Sequence, residues 1–326
     1  MTDQKVLEIF HAKSIVSTKE VQKINDFENT KPFSLHYELR LLLYLGIFLL
    51  SSGLGIVIYQ NLDSIGHTVI VIFISFLVVA CFAFSCWKKQ NFTWDAVEQV
   101  NPFADFTLLL GCLSFLTLEG YLQYQYNLFG EKYGLITFIS AIVFFFPAYF
   151  FDHRGVLSMA ITAFASWVGV SISPLAVFSK NDFTAPYFIF TSIALGILYM
   201  AIGLLSEYRK LKQHFAFSYL LLGSNLSLIA GIAGVFSEHL KYLYILIVLA
   251  ISIGLFFYAK IKQSYVFLLT GIVFAYIAIT KAIFDIFPDD SMKVWFAAYY
   301  FIATGIGVIF LLFNLKKILK TAKQRL

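Results

Sequence analysis

Charge is scarce in this sequence: Asp, Glu, Lys and Arg make up 13% of its 326 residues, against about 25% in a soluble domain. The shortage runs the length of the chain and accompanies 60% hydrophobic residues and a mean hydropathy of +0.79. A soluble enzyme is thereby excluded, and a polytopic membrane protein is implied. Cysteine is rare too. Cys81, Cys86 and Cys112 all lie in apolar runs, and no CxxC occurs. They read as small buried hydrophobes, with no structural disulfide or metal site expected. Also missing are HExxH, GxSxG, a P-loop, CxxCH and a TVGYG filter. The six histidines are dispersed through ends and loops. The expectation is a non-enzymatic protein that carries no cofactor. Residues 1–38 hold no apolar segment with a small-residue cleavage site, so no secretory signal is expected.

What the chain does contain is ten apolar runs: 39–59, 68–87, 106–122, 133–151, 155–177, 187–205, 215–236, 241–258, 265–283 and 294–312. At about 1.5 Å per residue, helices of this length cross about 30 Å of hydrocarbon. None alternates with the period of two that marks a barrel strand. The expected fold is all-α. A polytopic helical bundle spans 39–314, a short cytoplasmic amphipathic helical segment precedes it at 1–38, and a basic cytoplasmic tail follows at 315–326.

Lys and Arg set the expected direction. With the N-terminus in the cytoplasm and ten spans, nineteen of the 24 basic residues fall on the cytoplasmic side. The other five are Lys132, Lys180, Lys241, Lys281 and Lys293. One missed span would invert every later loop and destroy the bias. The reading is therefore an inner-membrane protein with both termini cytoplasmic. The net charge of +5 becomes a topology signal, with anionic membrane lipids as its partner and nucleic acid excluded. Arg154, Arg209, Lys210, Lys316 and Lys317 are the residues expected at lipid headgroups.

In the N-terminal segment, Ser17 and Glu20 have capping-box spacing, and Val21, Ile24 and Phe27 follow on one helical side. This segment reads as a small cytoplasmic cap or as a site for a cytoplasmic protein at 1–38. Within the spans, small residues recur at four-residue steps: Gly223, Ser227 and Gly231; Ser192 and Gly196; Ala165 and Gly169; Ala303 and Gly307; Ser51 and Gly55. Such repeats allow helix backbones to approach closely in lipid.

A few polar residues sit in or beside the spans. Glu119 and Gln123 are one helical turn apart, and Tyr126 and Asn127 follow. A carboxylate in hydrocarbon costs about 2.5–3.5 kcal/mol even on lenient scales, so Glu119 should pair, face a wet cavity or lie at the boundary. Lys281 has two partners open to it, Asp285 one turn on and Glu119 on the same membrane side. With Asn61 after the first run, these residues form the candidate substrate or polar-cavity set. Pro147, inside the fourth run, is the candidate kink or gate.

The stretches SIVSTKEVQKI, YLGIFLLSSGLGIVIYQNLDSIGH and LEGYLQYQYNLFGEKYGLITFISAIVFFFPAYFFDHRGVLSMAITAFASWVGV resemble the uncharacterised bacterial membrane proteins of the domain of unknown function 2157 family. The likeness covers about residues 7–170. By position it implies roles for Asn61, Gln123, Tyr126, Pro147, Arg154 and Trp167, and it supports the topology. Glu119 and the DHR turn at Asp152–Arg154 are outside its pattern. Two functions stay open. One is transport of a small solute or lipid-like molecule through the bundle. The other is a scaffold or sensor that binds a cytoplasmic partner through residues 1–38. A membrane-embedded enzyme ranks third, for want of an acid, base or metal set.

Overall fold

The computed structural model describes residue 20 and residues 36–60, 66–89, 92–96, 102–130, 132–172, 185–237, 240–286 and 290–320. Most of the segment predicted at 1–38, the candidate Asn61, and the tail beyond Lys320 lie outside the described residues. Among those described there is no strand. The α-helices are α1 (His36–Gln60), α2 (His67–Trp87), α3 (Pro102–Tyr126), α4 (Tyr133–Phe150), α5 (Arg154–Ile172), α6 (Pro186–Tyr208), α7 (Ala216–Val235), α8 (Lys241–Lys262), α9 (Tyr265–Phe284) and α10 (Asp290–Lys320). A 3₁₀ turn, Gln213–Phe215, leads into α7. Each predicted apolar run overlaps one helix, residues 173–177 of the fifth run lying outside the described residues. Nine of the described helices are long and apolar enough to cross a membrane, and the apolar stretch of α1, Leu41–Val57, is shorter. The chain is a multi-pass helical membrane protein.

Residues 1–56 form one compact unit and 57–326 a second. In the second unit, consecutive helices pack as hairpins: α2 on α3, α4 on α5, α6 on α7 and α8 on α9. The α6–α7 contact is the most extensive, and α7 also touches α5, α8 and α9. Two apolar cores lie against this hairpin. One joins Leu108, Phe144, Leu157 and Ile161 to Leu195 and Tyr219. The other joins Ile189, Ile193 and Leu228 to Val248, Leu255 and Leu268. Outward-facing residues such as Phe76, Phe146, Leu246 and Phe310 are largely exposed, as lipid contact requires.

Glycine explains why α6 and α7 meet so closely. A Cβ on Gly196 would stand 2.5 Å from the Gly223 carbonyl oxygen, and one on Gly223 would stand 2.6 Å from that of Gly196. The approach lets Ser227 Oγ donate to the Ile193 carbonyl at 3.1 Å. Tyr199 OH donates to the Ile161 carbonyl at 3.0 Å and ties α6 to α5. The small-residue repeats of α6 and α7 therefore do pack. Those at Gly55 and Gly307 meet nothing within 4 Å, because regular spacing marks a face without supplying a neighbour. Of the cysteines, Cys81 and Cys112 are buried as expected, but Cys86 is exposed. It sits in the last turn of α2, on the side away from the α2–α3 contact that buries Cys81.

Overpacking of this kind costs roughly 1–3 kcal/mol, so Gly196→Ala and Gly223→Ala should each destabilise the protein by that amount. Gly254, with nothing within 4 Å, is the control: its change to Ala should be neutral or stabilising by up to about 1 kcal/mol. Unfolding in mixed micelles measures all three, and equal effects would remove the close-contact explanation.

Candidate functional site

Contacts between loops define two ends of the bundle. At one end the segment around Trp94, the α4–α5 turn, the α6–α7 turn and the α8–α9 turn touch each other. Arg154, Arg209 and Lys210 are exposed here, and Lys316 and Lys317 fall in the last part of α10. We call it the basic end. At the opposite end lie the α3–α4 turn, the start of α8 and the close of α9.

The described members of the predicted polar set are at the opposite end, but they do not converge on one cavity. Gln123 organises the α3–α4 turn. Its Nε2 donates to Asn127 Oδ1 at 3.0 Å and to the Gly130 carbonyl at 2.9 Å, and its Oε1 accepts from the Phe129 N–H at 3.0 Å. Asn127 and Gly130 take left-handed backbone there, with φ of 47° and 57°. Tyr126 is about half exposed. Of its two open partners, Lys281 takes Asp285, which it shares with Lys241 at 3.1 Å. The two lysines hold the Asp285 carboxyl below its ordinary range, the Lys281 bond being the larger cause. Glu119 is apart from these, buried and bonded to Ser140 of α4. Pro147 is buried within α4. Trp167 packs on Phe138 with the rings tilted by 41° and 4.6 Å between their centroids.

Between α5, α6 and α7, in the half of the bundle away from the basic end, lies a groove of about 540 Å³. Leu195, Phe188 and Ile229 are among the residues that line it, and Thr137 reaches it from α4. Four of its five hydroxyls are spent on the backbone, Thr137 on the Gly134 carbonyl at 3.1 Å among them. Thr162 donates to the Ser158 carbonyl at 2.8 Å, Ser166 to Thr162 at 2.9 Å and Thr191 to Tyr187 at 2.7 Å. The wall therefore behaves as an apolar one. Thr162 and Ser166 are exposed and Ile229 is 60% exposed. All three belong to helices long and apolar enough to cross a membrane, so the groove opens on an apolar outer face of the bundle.

The basic end holds a group of residues that sequence reasoning took only for loop charges. Asp152, in left-handed backbone (φ 60°), sits at the α4–α5 turn, and Lys212 (φ 49°) at the α6–α7 turn. Lys212 is 1% exposed, and its Nζ is 2.8 Å from Asp152 Oδ1. The same oxygen is 2.6 Å from His214 Nε2. Lys212 also reaches the Asp95 carbonyl at 3.5 Å, lies 5.1 Å from the centre of the Phe92 ring, and accepts no exposure to water in return. Its backbone N–H donates to the Trp94 carbonyl at 2.8 Å. One carboxylate thus clamps three loops. The only sequence signal was that DHR and KLKQH carry opposite charges on one side of the membrane. On the other flank of His214, a polar cavity of about 490 Å³ is lined by Lys210, Glu207 and Lys262. Glu207 is paired with Lys262 and accepts from Tyr258 OH at 3.0 Å.

His153 completes this end. The Val156 N–H donates to its Nδ1 at 3.1 Å, so Nδ1 carries the lone pair and the proton is on Nε2. Burial pushes the imidazole down to about 4, and backbone hydrogen bonding and the Asp152 charge pull it back only in part.

Residues 8–157 match the model of a family described as Predicted membrane protein (DUF2157). This is the family the sequence motifs resemble. The match takes in α1 to α4 and ends in the first turn of α5, so the groove, Thr137 apart, and the Lys212 side of the clamp lie beyond it. No curated protein and no solved structure matches the chain.

Removing one partner of a buried pair leaves an uncompensated charge and costs about 3–5 kcal/mol. Asp152→Asn should lose that much stability, and adding Lys212→Met should recover more than half. A double-mutant cycle on thermal unfolding tests this, and strictly additive losses would count against the clamp.

The His153 shift has a definite sign. An unfolded chain takes up the proton near 6.5 and the folded one only near 4. Stability present at neutral pH should therefore fall as pH drops through that window, by at most about 1.4 kcal/mol per unit. His153→Asn, which keeps an acceptor for Val156, should flatten the profile. An unchanged slope in the variant would assign the acid sensitivity elsewhere.

Proposed function

We propose that this inner-membrane protein binds and transports a lipid-like molecule, its apolar chain lying in the groove between α5, α6 and α7. The observation that carries the reading is the mouth of that groove. It opens at membrane depth, where the surrounding solvent is itself acyl chain, and its wall is mostly apolar, with four of its five hydroxyls bonded to the backbone. Burying apolar surface is worth about 25 cal/mol per Å² relative to water. The gain from lipid is smaller, so shape supplies the selectivity. Under the charge-derived orientation, the basic end faces the cytoplasm and the groove lies in the outer half of the bilayer. The exposed Arg154, Arg209 and Lys210 then meet anionic headgroups of the inner leaflet.

A phospholipid with a photoreactive tail, in nanodiscs, tests the binding step. Crosslinks should concentrate on α5, α6 and α7 at the groove. Ala165→Trp should reduce them about tenfold, equivalent to about 1.4 kcal/mol of lost contact, with unchanged melting. The same variant should slow lipid movement in proteoliposomes. Crosslinks spread evenly over the exposed faces, with wild type and variant alike inactive, would support the scaffold instead. An impermeant thiol reagent applied to intact cells should leave a cysteine placed at Lys210 unmodified, and its modification would reverse the orientation.

A further inference from the structure

Glu119 is 5% exposed, and it lies on the α3 face that meets α4. One carboxyl oxygen is bonded to the Ser140 hydroxyl, and the other, Oε1, is buried with no hydrogen-bond partner among the described residues. No ion pair reaches it among the described residues, and the sequence explains why. The helices packed on α3 carry a single Lys or Arg, Arg154 of α5. That residue is at the basic end, next to His153, whose ring bonds the Asp105 backbone. Asp105 is fourteen residues before Glu119, about 21 Å along the α3 axis.

Besides Arg154, the packed helices hold one other group able to carry positive charge, His67, and it is turned to a different partner. His67 of α2 is engaged with Tyr121, its Nδ1 2.9 Å from the phenol oxygen. On α3 itself there are Cys112, Tyr124 and Tyr126, and on α4 Tyr133. Lys132 precedes α4 by one residue, about 12 Å along the axis from Ser140. An ionised carboxylate in this place would be uncompensated, at the cost that makes charges rare inside membranes.

We propose that Glu119 is a proton-binding site of the membrane domain, a carboxylic acid between α3 and α4 that exchanges its proton with water. The ligand chemistry follows from the donor set. A hard metal cation such as calcium takes about six to eight oxygens, whereas this site offers the carboxyl group and one hydroxyl. A proton needs a single oxygen. It forms the O–H bond on Oε1, and Oε2 keeps its place on Ser140. On release, the O–H electron pair stays with the carboxylate and the proton passes to water or hydroxide. The distance to water is short, since Glu119 is seven residues from the end of α3 at Tyr126, about 10 Å below the helix end. The site stands independently of the groove, which Glu119 does not line.

Two measurements on the full-length protein in nanodiscs test it. Dicyclohexylcarbodiimide, an apolar reagent, adds to protonated carboxyl groups and leaves a stable N-acylurea readable by mass spectrometry. Glu119 should be modified at neutral pH, and modification should fall roughly tenfold per pH unit once the group titrates. A water-soluble carbodiimide should leave it untouched. In infrared difference spectra, wild type should show the C=O stretch of a protonated carboxyl group that Glu119→Gln lacks, and the band should shift in heavy water. Should the variant fail to fold, the heavy-water shift and the pH titration of labelling are read on the wild type alone. Only ionised-carboxylate bands at neutral pH, a protonated band indifferent to heavy water, or labelling independent of pH would overturn the proposal.

Discussion

The approach of α6 to α7, glycine on glycine, is the contact against which the rest of the bundle is assembled. Lipid tails are as apolar as leucine, so the helices gain little by hiding apolar surface from their solvent. What remains is dense van der Waals contact and a few hydrogen bonds between helices. Gly196 and Gly223 supply the first by admitting each other's backbone, and Ser227 supplies the second. The paired helices then act as one wall with a core on either side. Gly231 and Gly234 extend the same device to α8, where a Cβ would run into Val248 and Tyr244.

Polar groups obey the complementary rule. Many hydroxyls within the helices, those of Thr162, Ser166 and Thr191 among them, bond a carbonyl one turn back, so they add little polarity to the surface they occupy. Against that background two places stand out, because polarity there is concentrated. At the basic end one aspartate is shared by a lysine and a histidine from another turn. In the α3–α4 interface an acid has a single hydroxyl for company.

Much of the fold was legible in the chain. The apolar runs marked the helices because nothing competes with the hydrocarbon requirement for internally bonded backbone. Their ends were legible through Lys, Arg and Pro. The site was less so. Lys210 and Lys212 are two residues apart in one short turn, and composition cannot tell that the first is exposed and the second wholly enclosed. That difference does not come from the backbone, which is left-handed at both, but from the Asp152 carboxylate and a loop some 120 residues earlier that cover Lys212. Glu119 was conspicuous as a charge in an apolar run, yet its partner Ser140 looked like any other small residue. The groove had no signature at all, since it is the space left where four helices diverge.

The clamp at the basic end also imposes an order of events. The hairpins are local in sequence, so each can close soon after it is made, as short-range contacts do. Asp152 belongs to the α4–α5 turn, but Lys212 emerges sixty residues later, about 3–12 s at ordinary rates of synthesis. Through that interval the aspartate stands at the membrane edge without its buried counter-ion, and the segment at Trp94 and Asp95 has nothing to fold over. Arrival of the α6–α7 turn satisfies all three loops at once. A chain interrupted between the fifth and seventh helices would hold its hairpins but leave that end unfastened, a state for quality-control proteases to recognise.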